Sequence, residues 1–132
     1  MSALPQSRLT IEQFETGEFD PESFDHEAHV YVAWLYVQAY DLPVAIRRFD
    51  SALKRLTAQL GIPDKYHATI TWTFLLLINE RFRDNEEWCA FCLRNQNLFN
   101  DSKAIVGRYY TDALLFSDRA RQHFVLPDKL AS

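Results

Sequence analysis

The sequence contains few of the residues that mark several classes of protein. With only 3 glycines and 2 cysteines among 132 residues, it is not expected to form a loop-rich domain held by disulfides. Its longest apolar runs, residues 30–37 and 74–78, are too short to span a bilayer. Residues 1–8 lack the basic and then apolar order of a signal peptide. We therefore expect a cytoplasmic protein with reduced cysteines and no membrane partner.

The charge balance excludes a further class of partner. The formal net charge is -4 at pH 7, from 14 Lys and Arg against 18 Asp and Glu. Surfaces that bind nucleic acids are usually basic, so we expect no nucleic-acid partner. The chain is 48% hydrophobic and 14% aromatic, which is enough for one well-packed core at this length. The composition thus predicts a single domain that covers residues 1–132.

Helix-start signals and apolar patterning predict four long helices. The predicted helices cover about residues 21–40, 43–60, 65–82 and 84–98. Each begins at or just after an aspartate that can act as an N-cap, in order Asp20, Asp41, Asp64 and Asp84. Residues 30–37 are also rich in strand formers, but they show no polar and apolar alternation, so we favour a helix. Gly61 is a typical residue at a helix end.

These elements predict an all-α fold. We expect an up-down four-helix-type bundle with an N-terminal arm, residues 1–20, and short C-terminal helices after residue 100. Phe14 and Phe19 would pack the arm against the bundle, and Ser102 and Ser117 would cap short helices. In such a bundle the first and third helices run in the same direction, so their N-termini lie at the same end.

Three of the four histidines fall near these two N-termini: His26, His29 and His67. If the first helix begins at Pro21, then Glu22, Asp25, His26 and His29 share one face about 100° wide, because each residue advances about 100°. The bundle topology brings His67 to the same end. The sequence therefore predicts a pocket at one end of the bundle, in which three imidazoles lie close to one or two carboxylates.

This set of side chains suits a divalent metal ion, Zn or Fe. Three neutral imidazole nitrogens with one oxygen ligand are a common donor set for these ions. We predict His26, His29 and His67 as the ligands, with Asp25 or Glu22 as a fourth ligand or as a hydrogen-bond partner of one. Without a metal, one histidine would act as a general base and another would bind a substrate oxygen.

The leading functional hypothesis is a metal-dependent enzyme that acts on a small polar substrate, with catalytic residues unassigned. Thr71, Tyr36 and Arg121 are candidate substrate contacts. The alternative is a non-catalytic helical interaction or ligand-binding module, in which the histidines cap helices or bind a ligand without metal. The apolar helices also make a homodimer a reasonable expectation.

The two cysteines form the pattern Cys89-x-x-Cys92. In thioredoxin-like proteins this pattern opens a helix directly after a strand. Here it falls inside a predicted helix after a polar segment, so we interpret both residues as thiols packed in the interior.

Four motifs extend across most of the chain. They are Phe14-x-x-Gly17-x-Phe19-Asp20-Pro21, Phe24-Asp25-His26-x-x-His29, Tyr66-His67-x-Thr69-x-Thr71 and Ser117-x-x-Ala120-Arg121-x-x-Phe124-x-x-Pro127-Asp128. With these motifs the chain resembles a small family of uncharacterised bacterial all-helical proteins of similar length. The resemblance implies that the three histidines act as one unit and that the C-terminal segment belongs to the domain. Cys89 and Cys92 lie outside the shared pattern.

Overall fold

The computed structural model describes residues 9–129, and over that range the chain is all-helical, without β-strands. The predicted all-α class is thus confirmed. The α-helices are α1 Ile11–Thr16, α2 His26–Ala39, α3 Leu42–Gln59, α4 Ala68–Arg81, α5 Trp88–Arg94, α6 Asn97–Asn100, α7 Ser102–Gly107, α8 Asp112–Leu115 and α9 Asp118–Gln122. Single turns of 3₁₀-helix precede α2 and α4, at Pro21–Ser23 and Pro63–Lys65.

Helix α3 matches its sequence prediction within one residue at each end. Its apolar residues recur on one stripe, which packs against α2 and α4. Pro43 lies in its first turn, where the missing N–H costs nothing. At its other end Gly61 adopts a left-handed conformation with φ of 74°, and Ile62 N–H donates to Thr57 O at 2.9 Å. This is the glycine helix end that the sequence predicts.

Helix α2 begins five residues later than the predicted start at Pro21. Asp20 does accept from Glu22 N–H at 3.0 Å, but it caps only the 3₁₀ turn. Phe24 then leaves helical geometry, and Asp25 Oδ1 accepts from Ala28 N–H at 2.9 Å. The side chain of Asp25 thus caps a new helix, since short acidic side chains bond readily to nearby backbone N–H groups.

The start of α4 differs in the same way. The predicted N-cap, Asp64, lies in the 3₁₀ turn, and the helix starts at Ala68. His67 occupies the N-cap position, where its Nδ1 atom accepts from Ile70 N–H at 3.2 Å. An imidazole nitrogen with a free lone pair can replace the carboxylate in this role.

The predicted fourth helix, residues 84–98, is divided into α5 and α6. Asn85 has a left-handed conformation with φ of 64°, which is incompatible with a helix that begins at Asp84. Asn95 Nδ2 donates to Phe91 O at 3.0 Å just beyond the end of α5. The more specific prediction of a four-helix up-down bundle is therefore not confirmed. Three long helices instead pack with several short ones.

Two further predictions concern caps and cysteines. Ser117 caps α9, since its Oγ atom accepts from Ala120 N–H at 3.2 Å, as predicted. Ser102 is instead the first residue of α7. Cys92 is half-buried against the core, but Cys89 is exposed, so the prediction that both thiols are packed is wrong for Cys89. Cys89 lies on the solvent face of α5, opposite the face that carries the buried Trp88 and Phe91.

The core is formed mainly by α2, α3 and α4. Phe14 of α1 inserts into it and stacks on Phe49 with ring centroids 5.5 Å apart. A second aromatic group joins Trp34 of α2 to Trp88 and Phe91 of α5. These contacts bury large rings from distant parts of the chain in one cluster. Among residues 9–129, no helix combines the length and the apolar character that crossing a membrane requires.

We predict that Gly61→Ala lowers the free energy of unfolding by about 1 kcal/mol, because a left-handed backbone disfavours a Cβ atom. An added Cβ meets no described atom within 4 Å, so the cost is purely conformational. Gly107→Ala is the matched control, since Gly107 also has open space but no left-handed φ. Urea denaturation measures both; equal stability of the two variants would contradict the prediction.

Candidate functional site

A pocket of about 530 Å³ lies between the start of α2, the face of α4 and the short helices α7 and α8. Most of its wall is apolar, and its polar side chains are two histidines, a serine, a lysine and an aspartate. The lining residues are His26, His29, Val30, Ile70, Phe74, Ile78, Ser102, Lys103, Val106, Gly107, Asp112, Leu115 and Phe116. We call this space the histidine pocket. Its volume is in the range of small-molecule sites.

His26 joins the start of α2 to the C-terminal half of the chain. Its Nε2 atom lies 2.8 Å from Leu98 O. A carbonyl oxygen can only accept, so Nε2 carries the proton and donates. The ring also packs edge-on against Phe74 and Phe99. His26 therefore acts as part of the pocket wall, with one nitrogen already used by the protein.

His29 lies one turn further along α2. Its ring stacks on Phe24 with centroids 5.7 Å apart, and it packs against Phe49 at 5.5 Å and His26 at 6.4 Å. Its Nε2 atom is buried and has no hydrogen-bond partner among residues 9–129. Burial, and to a smaller extent the neighbouring His26, lowers the pKa of His29 from 6.5 to about 4. The imidazole is therefore uncharged at neutral pH.

His67 uses both of its ring nitrogens inside the protein. Because Nδ1 accepts from Ile70 N–H, Nε2 carries the proton and donates to Leu115 O at 2.7 Å. Burial is the main cause that lowers the pKa of His67; the bond to Leu115 opposes it, and the charge of Arg121 adds to it. The residue lies behind the pocket wall, to which it is joined through Leu115.

The predicted metal ligands are only partly brought together. Among residues 9–129, no group of three or more His, Cys, Asp or Glu side chains could hold a metal ion. His26 and His29 share the pocket, whereas His67 is an N-cap outside it. Asp25 caps α2, and Glu22 is exposed in the preceding turn. Because α2 begins at His26, Glu22 and Asp25 lie before the helix and do not share a helical face with His26 and His29. The bound metal ion stays a prediction.

The three candidate substrate contacts lie outside the histidine pocket. Tyr36 is fully buried, and its hydroxyl donates to Glu15 Oε2 at 2.9 Å. Burial, followed by this hydrogen bond, raises the pKa of Tyr36. Thr71 is buried within α4. Arg121 lines a second, smaller pocket of about 370 Å³ with Lys54.

The charged groups of this second pocket are mostly engaged in joining helices. Arg121 donates to the carbonyl oxygen of Asp64. Asp50 accepts from the hydroxyl of Tyr66 and from Trp72 Nε1, and Lys54 Nζ lies 3.4 Å from its other carboxylate oxygen. These bonds connect α3 to the start of α4. Arg121 is thus placed as a link between α9 and the turn before α4.

Sequence reasoning missed the pocket residues after position 100. Ser102, Lys103 and Asp112 belong to helices of six and four residues, which are too short for a clear apolar period. Phe116 follows α8 and is 63% exposed, although it is a large aromatic residue. Only the folded chain brings these residues against α2 and α4. The sequence carries no signal for this arrangement.

We predict that acid weakens the fold through His29. Its folded pKa, about 4, is below the ordinary value of 6.5, so the unfolded chain binds the extra proton first. The stabilisation is complete above pH 6.5 and is lost as the pH falls towards 4, by about 3 kcal/mol at most. Chemical denaturation at several pH values measures this loss. His67 contributes with the same sign, so the quantity to follow is wild type minus His29→Gln. A difference that does not change with pH would contradict the prediction.

We also predict different costs for two substitutions of His67. His67→Ala removes the cap and the bond to Leu115, and should lower the free energy of unfolding by about 2–3 kcal/mol. His67→Asn keeps a good N-cap but cannot reach Leu115, so its cost should be about 1 kcal/mol lower. Thermal and urea denaturation compare the two variants. Equal destabilisation would argue against a capping role.

The chain was compared with protein-family models, with curated proteins and with solved structures, and no significant match was found. The resemblance to a small bacterial family accordingly stays a prediction.

Proposed function

We propose that the protein binds a small, largely apolar molecule in the histidine pocket without the help of a metal ion. The observation that carries this proposal is the pocket itself: about 530 Å³ of space with mostly apolar walls and few polar groups. Sites for small organic ligands have this composition, because apolar walls supply affinity and a few polar groups supply orientation. This is the non-catalytic, ligand-binding alternative among the sequence-based hypotheses.

The contacts of the histidines support this choice over the three-ligand metal site. His67 gives both nitrogens to the backbone, and His26 gives one. A metal ion that recruited His67 would cost the cap of α4 and the bond to Leu115. An apolar ligand requires neither bond to break. It would gain about 25 cal/mol for each Å² of apolar surface removed from water.

The metal-dependent enzyme predicted from the sequence is the second candidate. One observation favours it: the rings of His26 and His29 share the pocket, with centroids 6.4 Å apart. Two imidazoles and water would be a smaller ligand set than the predicted one, and open coordination positions are typical of catalytic sites. This candidate requires that Zn²⁺ or Fe²⁺ bind through these two residues.

A fluorescence titration tests the leading proposal. The probe is N-phenyl-1-naphthylamine, which is uncharged and brightens in apolar surroundings. Wild type should show saturable binding to one site. Gly107→Leu should weaken it at least about tenfold, because Gly107 lines the pocket, a Cβ atom added there meets no described atom within 4 Å, and we expect the larger side chain to fill pocket space. Ala104→Leu is the matched control, since Ala104 is exposed on the same helix.

Equal probe binding by Gly107→Leu and wild type would exclude the histidine pocket as the site. Calorimetric titration with Zn²⁺ separates the second candidate. Saturable binding of about one ion per chain that is lost in His26→Ala and in His29→Ala would favour the metal site. Absence of such binding, together with saturable probe binding, would favour the metal-free ligand.

A further inference from the structure

His29 is a polar residue with a ring nitrogen that forms no hydrogen bond to residues 9–129. Its Nε2 atom is buried without a partner among residues 9–129, although the ring forms part of the pocket wall. Buried polar atoms in proteins are nearly always hydrogen-bonded, since a missing bond costs about the full desolvation of the group. A bound molecule that supplied the missing bond would remove this cost.

The neighbours of His29 do not offer such a bond. Phe24 stacks on its ring, Phe49 packs against it at a tilt, and His26 already donates its Nε2–H to Leu98. The proposal requires that the His29 ring turn so that a nitrogen faces the pocket. Rotation about its Cβ–Cγ bond exchanges nitrogen and carbon positions, and this terminal torsion has broad, roughly two-fold minima. The partner must therefore come from the ligand side of the ring.

The chemistry of the site restricts what that ligand group is. A neutral imidazole offers one N–H donor and one acceptor nitrogen. A hydroxyl group can donate or accept, so it matches whichever nitrogen faces the pocket. A carboxylate or an ammonium group would be placed beside Phe24 and Phe49, where a charge without a paired ion is costly.

The charged side chains of the pocket also favour an uncharged ligand. Lys103 and Asp112 both line it and carry opposite charges, so together they add no net charge. A neutral ligand is therefore neither attracted nor repelled overall by this pair of charges. The apolar walls accept the rest of the molecule, and Val30, Phe74 and Ile78 are among the residues that form them.

Building on the proposed function, we propose that the ligand is an uncharged alcohol or phenol with an apolar body, whose hydroxyl group pairs with His29. His29 is then the residue that determines specificity in the histidine pocket. The inference stands on a buried nitrogen without a partner among residues 9–129, the aromatic rings around it and the apolar pocket that the ring lines.

Two matched compounds test the proposal: 4-butylphenol, and 4-butylanisole, in which a methyl group replaces the hydroxyl proton. Displacement of N-phenyl-1-naphthylamine measures their affinities. Wild type should bind the phenol about tenfold more tightly than the ether, as expected for one buried hydrogen bond. His29→Leu should abolish this preference, with the affinity for the ether changed less than about threefold.

Two further variants keep the test decisive. Ser102→Ala removes another hydrogen-bonding side chain of the pocket and should keep the tenfold preference for the phenol. His29→Gln retains a hydrogen-bonding group and should keep part of it, which provides a second reading if His29→Leu does not fold.

Three outcomes would overturn the assignment: equal affinity of wild type for the two compounds, no binding of either compound, or a preference that Ser102→Ala abolishes and both His29 variants keep. The probe distinguishes this failure from failure of the proposed function. If N-phenyl-1-naphthylamine still binds and Gly107→Leu blocks it, the apolar pocket stands and only the hydroxyl assignment is lost.

Discussion

Two bonds from histidine rings to backbone carbonyl oxygens hold the C-terminal half of the chain against the long helices. His26 reaches Leu98, 72 residues away, and His67 reaches Leu115, 48 residues away. A third long-range bond from a side chain to a backbone carbonyl joins Thr69 Oγ1 to Ala120 O at 2.7 Å. Because the short helices after residue 95 have little stability alone, such long-range bonds and the burial of Leu98, Ile105 and Leu115 in the core together hold them in place. The histidine pocket exists because the short helices are held there.

This use of the histidines explains why the three imidazoles predicted to share a pocket are only partly brought together in the structure. Each ring has only two nitrogens, and a nitrogen that donates to a carbonyl oxygen is not a metal ligand. His67 uses both nitrogens in hydrogen bonds within the protein, and His26 uses one. His29 differs from them because aromatic rings pack around it, and its Nε2 atom has no partner among residues 9–129. Among the described residues that line the pocket, the buried polar atom without a partner therefore belongs to a neutral imidazole rather than to a charged cluster.

Much of the helical framework could be predicted because its causes are local. The stripe of α3 and the glycine after it determine that helix within a few turns of chain. The start of α2 was mispredicted because two capping aspartates, Asp20 and Asp25, compete within six residues, and a rule for one cap cannot choose between them. For α4, the cap is an imidazole, a residue type that capping preferences do not rank.

The sequence by itself determined that the chain is helical and that His26 and His29 lie one turn apart, because hydrophobic period and caps act over short distances. It did not determine which nitrogens are occupied, since the carbonyl groups of Leu98 and Leu115 arrive from far along the chain. Lys103, Asp112 and Phe116 reach the pocket for the same reason. Every residue has a backbone carbonyl group, so only the tertiary structure determines which two accept hydrogen bonds from His26 and His67.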